Sequence, residues 1–215
     1  MRWLDTTDNF PPPESGAADL PLAIGSGLSP EKVVKAYKMG IFPWGIDGGR
    51  VFWWSPDPRM VLVVDDFKIS RSLRKTLRSG RFDVRRDTAF PEVIRACAET
   101  PRKKQHDPYE TWISQPFIDT YTALHRQGVA HSVEAWHNDV LAGGLYGLLI
   151  GKFFFGESMF ARQCDASKVA LTHLVDWLKS ENVRYIDCQQ ETPYLASLGA
   201  KPVPRRLFLQ WLKKA

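Results

Sequence analysis

Three polar side chains stand in apolar stretches where a packed chain has little reason to keep them: Glu157 in FFFGESMF, and Asp187 and Gln189 in VRYIDCQQ. A carboxylate taken into apolar surroundings is costly unless it is paired or hydrogen-bonded. Glu157 is therefore either a satisfied structural anchor or a residue kept to bind something cationic, and its chemistry alone leaves both readings open. Residues 185–189 form a strand by length and residue type, so alternation puts Tyr185, Asp187 and Gln189 on one face and Ile186 and Cys188 on the other. A carboxylate beside a carboxamide can hold an amine, accept its proton and fix its orientation. Asp187 and Gln189 are thus the candidate catalytic pair. A nucleophilic Cys188 would need a histidine on its own face, and none is near in sequence; as a small hydrophobe against a helix it needs nothing.

Other chemistries find less support. His125, His131 and His137 fall in a helix, at a strand start and in a turn, without the repeats that metal sites favour, so no metal is expected. Neither a Walker loop nor G-x-G-x-x-G occurs, so ATP hydrolysis and dinucleotide use have no sequence support. No glycine follows Gly156 before the helix expected after Asp165, so that loop lacks the amides on which a CoA pyrophosphate would rest. Cys97, Cys164 and Cys188 are widely spaced and odd in number, which suggests neither a disulfide framework nor a paired zinc site and fits a reducing compartment. The N-terminus carries acids early and has no long apolar run, so a cytoplasmic protein is expected.

These residues need a scaffold, and the stretch 140–168 supplies its centre. Glycines and Lys152 interrupt a run already shorter than the roughly 20 apolar residues of a membrane span. Two strands turned at Gly151-Lys152, with Phe153, Phe154 and Phe155 covered on both faces, are expected instead. Strands over 131–136, 140–150 and 153–160 make an antiparallel meander. Asp165 then caps a helix with Val169, Ala170, Leu174, Val175 and Leu178 at helical spacing. Meander, helix and strand together predict an α+β fold with helices on a mixed sheet.

Upstream, residues 1–22 read as irregular. Ser29-Pro30-Glu31 opens a helix that Gly40 stops, with Val33, Val34 and Tyr37 on its inward face. Trp44, Trp53 and Trp54 follow with Phe42 and Phe52 among glycines and prolines, rings that can stack nucleobases or form a small core. A short helix then places Arg71, Arg74, Lys75 and Arg78 opposite Leu73 and Leu77, a face for phosphates or for solvent. A second helix is expected over 90–98, a mobile charged loop over 99–110, and a third helix opening at Trp112 with Ile118, Tyr121, Ala123 and Leu124 buried. With 44% hydrophobic residues in 215 the chain can bury a full core, and a net charge of +5 with clustered bases makes a polyanionic partner plausible.

Several segments in order resemble the leucyl/phenylalanyl-tRNA-protein transferases: AYKMGIFPW (36–44), WWSPDPR (53–59), TWI (111–113), AHSVEAW (130–136), GGLYG (143–147), FFGESMF (154–160), ASK (166–168), IDCQ (186–189) and SLGA (197–200). The resemblance implies an aminoacyltransferase that moves Leu or Phe, with Met as a further donor, from aminoacyl-tRNA to the N-terminal Arg or Lys of proteins, marking them for degradation without a cofactor. It implies a small N-terminal domain, here residues 1–63, beside an acyl-CoA N-acyltransferase-like catalytic domain, residues 64–215. A monomer free of any membrane is expected, with charged tRNA as partner. By position Trp44 and Trp112 match the family's adenosine-stacking tryptophans, Tyr37 and Glu157 its polar binding residues, Asp187 with Gln189 its catalytic pair, and Leu145, Met159 and Leu174 its donor pocket. Arg71, Arg74, Lys75 and Arg78 are the tRNA-binding candidates. A noncatalytic RNA-binding module and a CoA-dependent N-acyltransferase are the alternatives; the first leaves Glu157, Asp187 and Gln189 without a task.

Overall fold

The computed structural model describes residues 2–4, 9–100 and 111–214. In chain order the elements are β1 (Arg2–Leu4), β2 (Ala23–Ser26), α1 (Pro30–Lys38), β3 (Phe42–Asp47), β4 (Arg50–Trp54), β5 (Arg59–Val63), α2 (Arg71–Arg78), β6 (Asp83–Arg86), α3 (Phe90–Glu99), α4 (Gln115–Arg126), β7 (Ala130–His137), β8 (Val140–Ile150), β9 (Phe153–Ala161), α5 (Ala166–Ser180), β10 (Tyr185–Gln189), α6 (Pro193–Ser197), β11 (Lys201–Val203) and α7 (Arg205–Lys213). The strands form a four-stranded sheet, β1-β2-β4-β3, and a seven-stranded sheet, β11-β5-β10-β9-β8-β7-β6. β10 runs parallel to β9 and antiparallel to β5, so the larger sheet is mixed. Meander, helix and returning parallel strand make the α+β layout, with helices on a mixed sheet, that the sequence implied.

Local chemistry sets most element boundaries. Ser29 Oγ accepts from the backbone N–H of Lys32 to cap α1, and Ser70 Oγ accepts from that of Leu73 to cap α2. Gly151 turns β8 into β9 with a φ of 59°, a conformation that side chains resist. Phe153, Phe154 and Phe155 are all buried, as expected of a strand covered on both faces, and each contributes about 1.5–3 kcal/mol by leaving water. α5 lies on one face of the larger sheet against β7 and β8, while α3 and α4 cover the other.

Some expectations need correction. Arg2–Leu4 is not irregular: it pairs in parallel with β2, whose open edge offers unpaired backbone groups, and buries Leu4. The third long helix begins at Gln115 rather than at Trp112, because Pro116 lacks an N–H and is tolerated only in the first turn. Its Ala123 is half-buried. Asp165 stands at the N-cap of α5 with a φ of 65°, but its side chain makes no capping bond. Arg59–Val63, within the first 63 residues, is a strand of the larger sheet. The loop expected over 99–110 lies, apart from Glu99 and Thr100, outside the described residues.

Candidate active site

Strands β9 and β10 pair through Tyr185 with Phe153, Ile186 with Phe154 and Asp187 with Phe155, and there the ladder stops. A bulge sits on each strand at that point. Along β8, Tyr146 and Gly147 face Ser158 and Gly156, which leaves Glu157 as the extra residue of β9. Along β5, Val61 and Met60 face Asp187 and Gln189, which leaves Cys188 as the extra residue of β10. Bulges bend a strand and re-aim its side chains. Gln189, at a φ of 62°, turns out of the strand's alternation, and its Nε2 donates to Glu157 Oε1 at 3.0 Å across the gap. Gly147 lets β8 and β9 lie close together at the bulge, since a Cβ there would clash with Phe155 O.

Glu157 is 8% exposed and held by two tyrosines: Tyr37 Oη donates to Oε1 at 2.6 Å and Tyr121 Oη to Oε2 at 3.1 Å. Burial raises its carboxyl pKa to about 7; the bonds from Tyr37, Tyr121 and Gln189 favour the charged form, while the nearby Asp187 charge opposes it. Burial also raises both phenols, so they stay protonated donors. Because a carboxylate only accepts, the Gln189 NH₂ faces it, and the amide Oε1, turned away, has no hydrogen-bond donor among the described residues.

A cavity of about 540 Å³ opens from this pair. Its apolar walls include Leu62, Leu145, Phe154, Met159, Leu174 and Ile186, and its polar lining includes Glu157, Ser158, Gln189 and Thr192. Cys188 also lines it, but burial pushes the thiol pKa up to about 12, which removes the thiolate a nucleophile needs. Among the described residues no group of three His, Cys, Asp or Glu side chains could hold a metal ion.

Two profiles of known families match the chain: the leucyl/phenylalanyl-tRNA protein transferase over residues 61–213 and the N-terminal domain of the same enzyme over residues 27–57. The chain belongs to the leucyl/phenylalanyl-tRNA protein transferase family. Relatives called leucyl/phenylalanyl-tRNA--protein transferase include one from Ralstonia pickettii, 51% identical over all of this chain and 89% of its own length, and one from Nitrosomonas europaea, 50% identical over all of this chain and 90% of its own. Among solved structures the chain is similar to L-PGS from Bacillus licheniformis, with a TM-score of 0.43 and 13% identity over 80% of this chain and 55% of that one.

The residues that this transferase family suggested fall into separate groups. Tyr37, Glu157 and Gln189 are joined by hydrogen bonds, and Leu145, Met159 and Leu174 line the cavity with Glu157 and Gln189, whereas Tyr37 is fully buried behind Glu157 and does not line it. Asp187 corrects the sequence expectation: it is fully buried, does not line the cavity, and gives both oxygens to Arg59 at 2.8 and 2.6 Å. Strand alternation holds as far as Asp187 and fails at the Cys188 bulge, so the Asp187 and Gln189 side chains do not lie side by side on one strand face. Trp44 and Trp112 are half-buried and outside the cavity wall, packed edge-on against Trp54 and Phe117. Arg71, Arg74, Lys75 and Arg78 are exposed on α2, which Thr76 ties to the start of α5 through Asp165. Sequence reasoning passed over two residues. Tyr121 was read only as part of a buried helix face, although a buried phenol needs a partner; Arg59 closes the quoted WWSPDPR segment without having drawn a role.

Proposed function

We propose that this chain is an aminoacyltransferase that moves leucine or phenylalanine, with methionine as a further donor, from aminoacyl-tRNA to the N-terminal Arg or Lys of acceptor proteins in the cytoplasm, marking them for degradation. The observation that carries this reading is the largely apolar cavity whose lining includes the hydrogen-bonded Glu157–Gln189 pair, a hollow for an uncharged side chain beside groups that can handle an amine. Leu145, Met159 and Leu174 would line the donor side chain.

The donor is an ester, already activated, so the reaction is limited by the amine. An α-amino group has a pKa of about 8 and attacks only when neutral. Of the two protons an ammonium loses on becoming an amide, one leaves with the ribose oxygen and the other needs an acceptor. Glu157 suits that task because it faces the cavity and has a pKa near that of the amine. The free Oε1 of Gln189 orients the nitrogen, and Tyr37 and Tyr121 hold the carboxylate. Asp187 acts on the site only from behind. A CoA donor is disfavoured by Asp165, a carboxylate kept ionised at the start of α5 chiefly by Lys168, where a pyrophosphate would have to sit.

A transfer assay with labelled Leu-tRNA and a peptide beginning in Arg tests this function directly. Labelled peptide is expected, with no response of tryptophan fluorescence to acetyl-CoA; folded protein that transfers nothing, or that binds acetyl-CoA, would reject it.

Exposed charges on α2 without base-reading geometry fit phosphate contact. Reversing two of Arg71, Arg74, Lys75 and Arg78 is expected to weaken tRNA binding and flatten its dependence on salt, while a short aminoacyl-nucleoside donor reacts as before. An unchanged salt slope would make this helix a solvated face. Trp44 and Trp112 are proposed to stack the terminal adenosine. Each cut to Ala should cost about 1–3 kcal/mol of donor affinity, and a melt showing lost stability with unchanged affinity would return that ring to the core.

A further inference from the structure

We propose that Arg59 is a positioning residue for the transfer reaction, setting the Gln189 amide by way of Asp187; this rests on the roles just given to Gln189 and Glu157. Arg59 is the first residue of β5 and fully buried. Its guanidinium lies between the Phe42 and Phe208 rings, 4.6 and 4.7 Å from their centres, and Nη1 donates to Gly40 O at 3.3 Å. The planar group is thus fixed by β3, by α7 and by the end of α1's turn before it meets Asp187. Nε then donates to Asp187 Oδ1 and Nη2 to Oδ2, a two-point grip that holds the carboxylate in one orientation.

That orientation reaches the site through one further bond. Asp187 Oδ1 also accepts the backbone N–H of Gln189 at 2.9 Å. This bond closes the bulge at Cys188 and holds Gln189 at its φ of 62°, a conformation that a residue with a side chain does not keep unaided. From there the side chain extends 3.0 Å from Glu157. A lysine at position 59 would keep the charge but not the planar two-point grip, so Asp187 would be free to rotate and the Gln189 turn to relax. Arg59 is fully buried and does not line the cavity, so its influence on the rate should pass entirely through Gln189.

A double-mutant cycle in the full chain tests this, using Arg59→Lys, Gln189→Ala and the double variant, with kcat and KM for Leu-tRNA and a melting curve for each. Arg59→Lys is expected to lower kcat about 10- to 100-fold with KM for Leu-tRNA nearly unchanged, as misplacement of an orienting group does. In the Gln189→Ala background the same change should cost nothing further. Arg59→Lys with a normal kcat, or losses that multiply in the double variant, would overturn the role of Arg59 and leave that of Gln189 standing. Gln189→Ala at full rate would instead overturn the reading of the site. If Arg59→Lys does not fold, Asp187→Asn, which keeps the side-chain shape but loses the second anionic contact, takes its place in the same cycle under the same criteria.

Discussion

Glu157→Gln is expected to lower kcat by about 10²-fold or more while leaving aminoacyl-tRNA affinity close to that of the parent. Glutamine has nearly the same shape and keeps an oxygen for a tyrosine hydroxyl, so the cavity and the fold should survive; what it cannot do is take a proton. The pH dependence sharpens the test. Burial lifts the Glu157 pKa from 4.5 to about 7, against the bonds from Tyr37, Tyr121 and Gln189 and with the help of the Asp187 charge. The carboxylate needed as acceptor therefore forms as pH rises through about 7, and kcat/KM should climb across that range in the parent and lose this inflection in the variant. Stability carries the opposite sign. With its folded-state pKa raised, Glu157 favours the folded protein below about pH 4.5, and that contribution is lost as pH rises through about 7. Glutamine has no such dependence, so the variant should gain stability relative to the parent as pH rises from about 4.5 to about 7. A variant that keeps parental kcat with the inflection intact would remove Glu157 from the chemistry.

Asp187→Ala is expected to cost about 3–5 kcal/mol of stability, because it strands the Arg59 guanidinium in the core without its anion. For a chain of this length that is a fall in Tm of roughly 10 °C. Both side chains are fully buried, so solvent cannot compensate either charge. Replacing the pair together by apolar residues of similar volume should recover much of the loss, since the ion pair contributes little beyond cancelling its own desolvation. Urea melts of the single and the paired replacement measure the difference. An Asp187→Ala variant that loses less than about 1 kcal/mol would mean that the carboxylate is solvated after all, and would restore it as a candidate base facing the substrate.

Much of the protein's design is local and therefore legible in the chain. The caps at Ser29 and Ser70, the turn at Gly151-Lys152 and the five residues of β10 follow from hydroxyls, glycines and apolar periods acting over a few positions. Motif order was enough to point to the family, and composition to a polyanionic partner. Glu157 could be singled out because a carboxylate among phenylalanines is anomalous in any fold. Its answer could not be read there. Tyr37 lies 120 residues from Glu157 in sequence and Arg59 lies 128 from Asp187, so which acid would be shared among phenols and which locked by an arginine depended on contacts that no local pattern encodes. The same holds for the alternation of β10. Period two is a property of a regular strand, and the extra residue at Cys188 is accommodated only because β5 pairs on one side while β9 withdraws on the other. Sequence alone thus determined the residue types available for amine chemistry and the elements carrying them. The tertiary structure decided that Glu157 lines the cavity and Asp187 does not, because only packing sets which carboxylate stays within reach of a ligand and which is sealed against a cation.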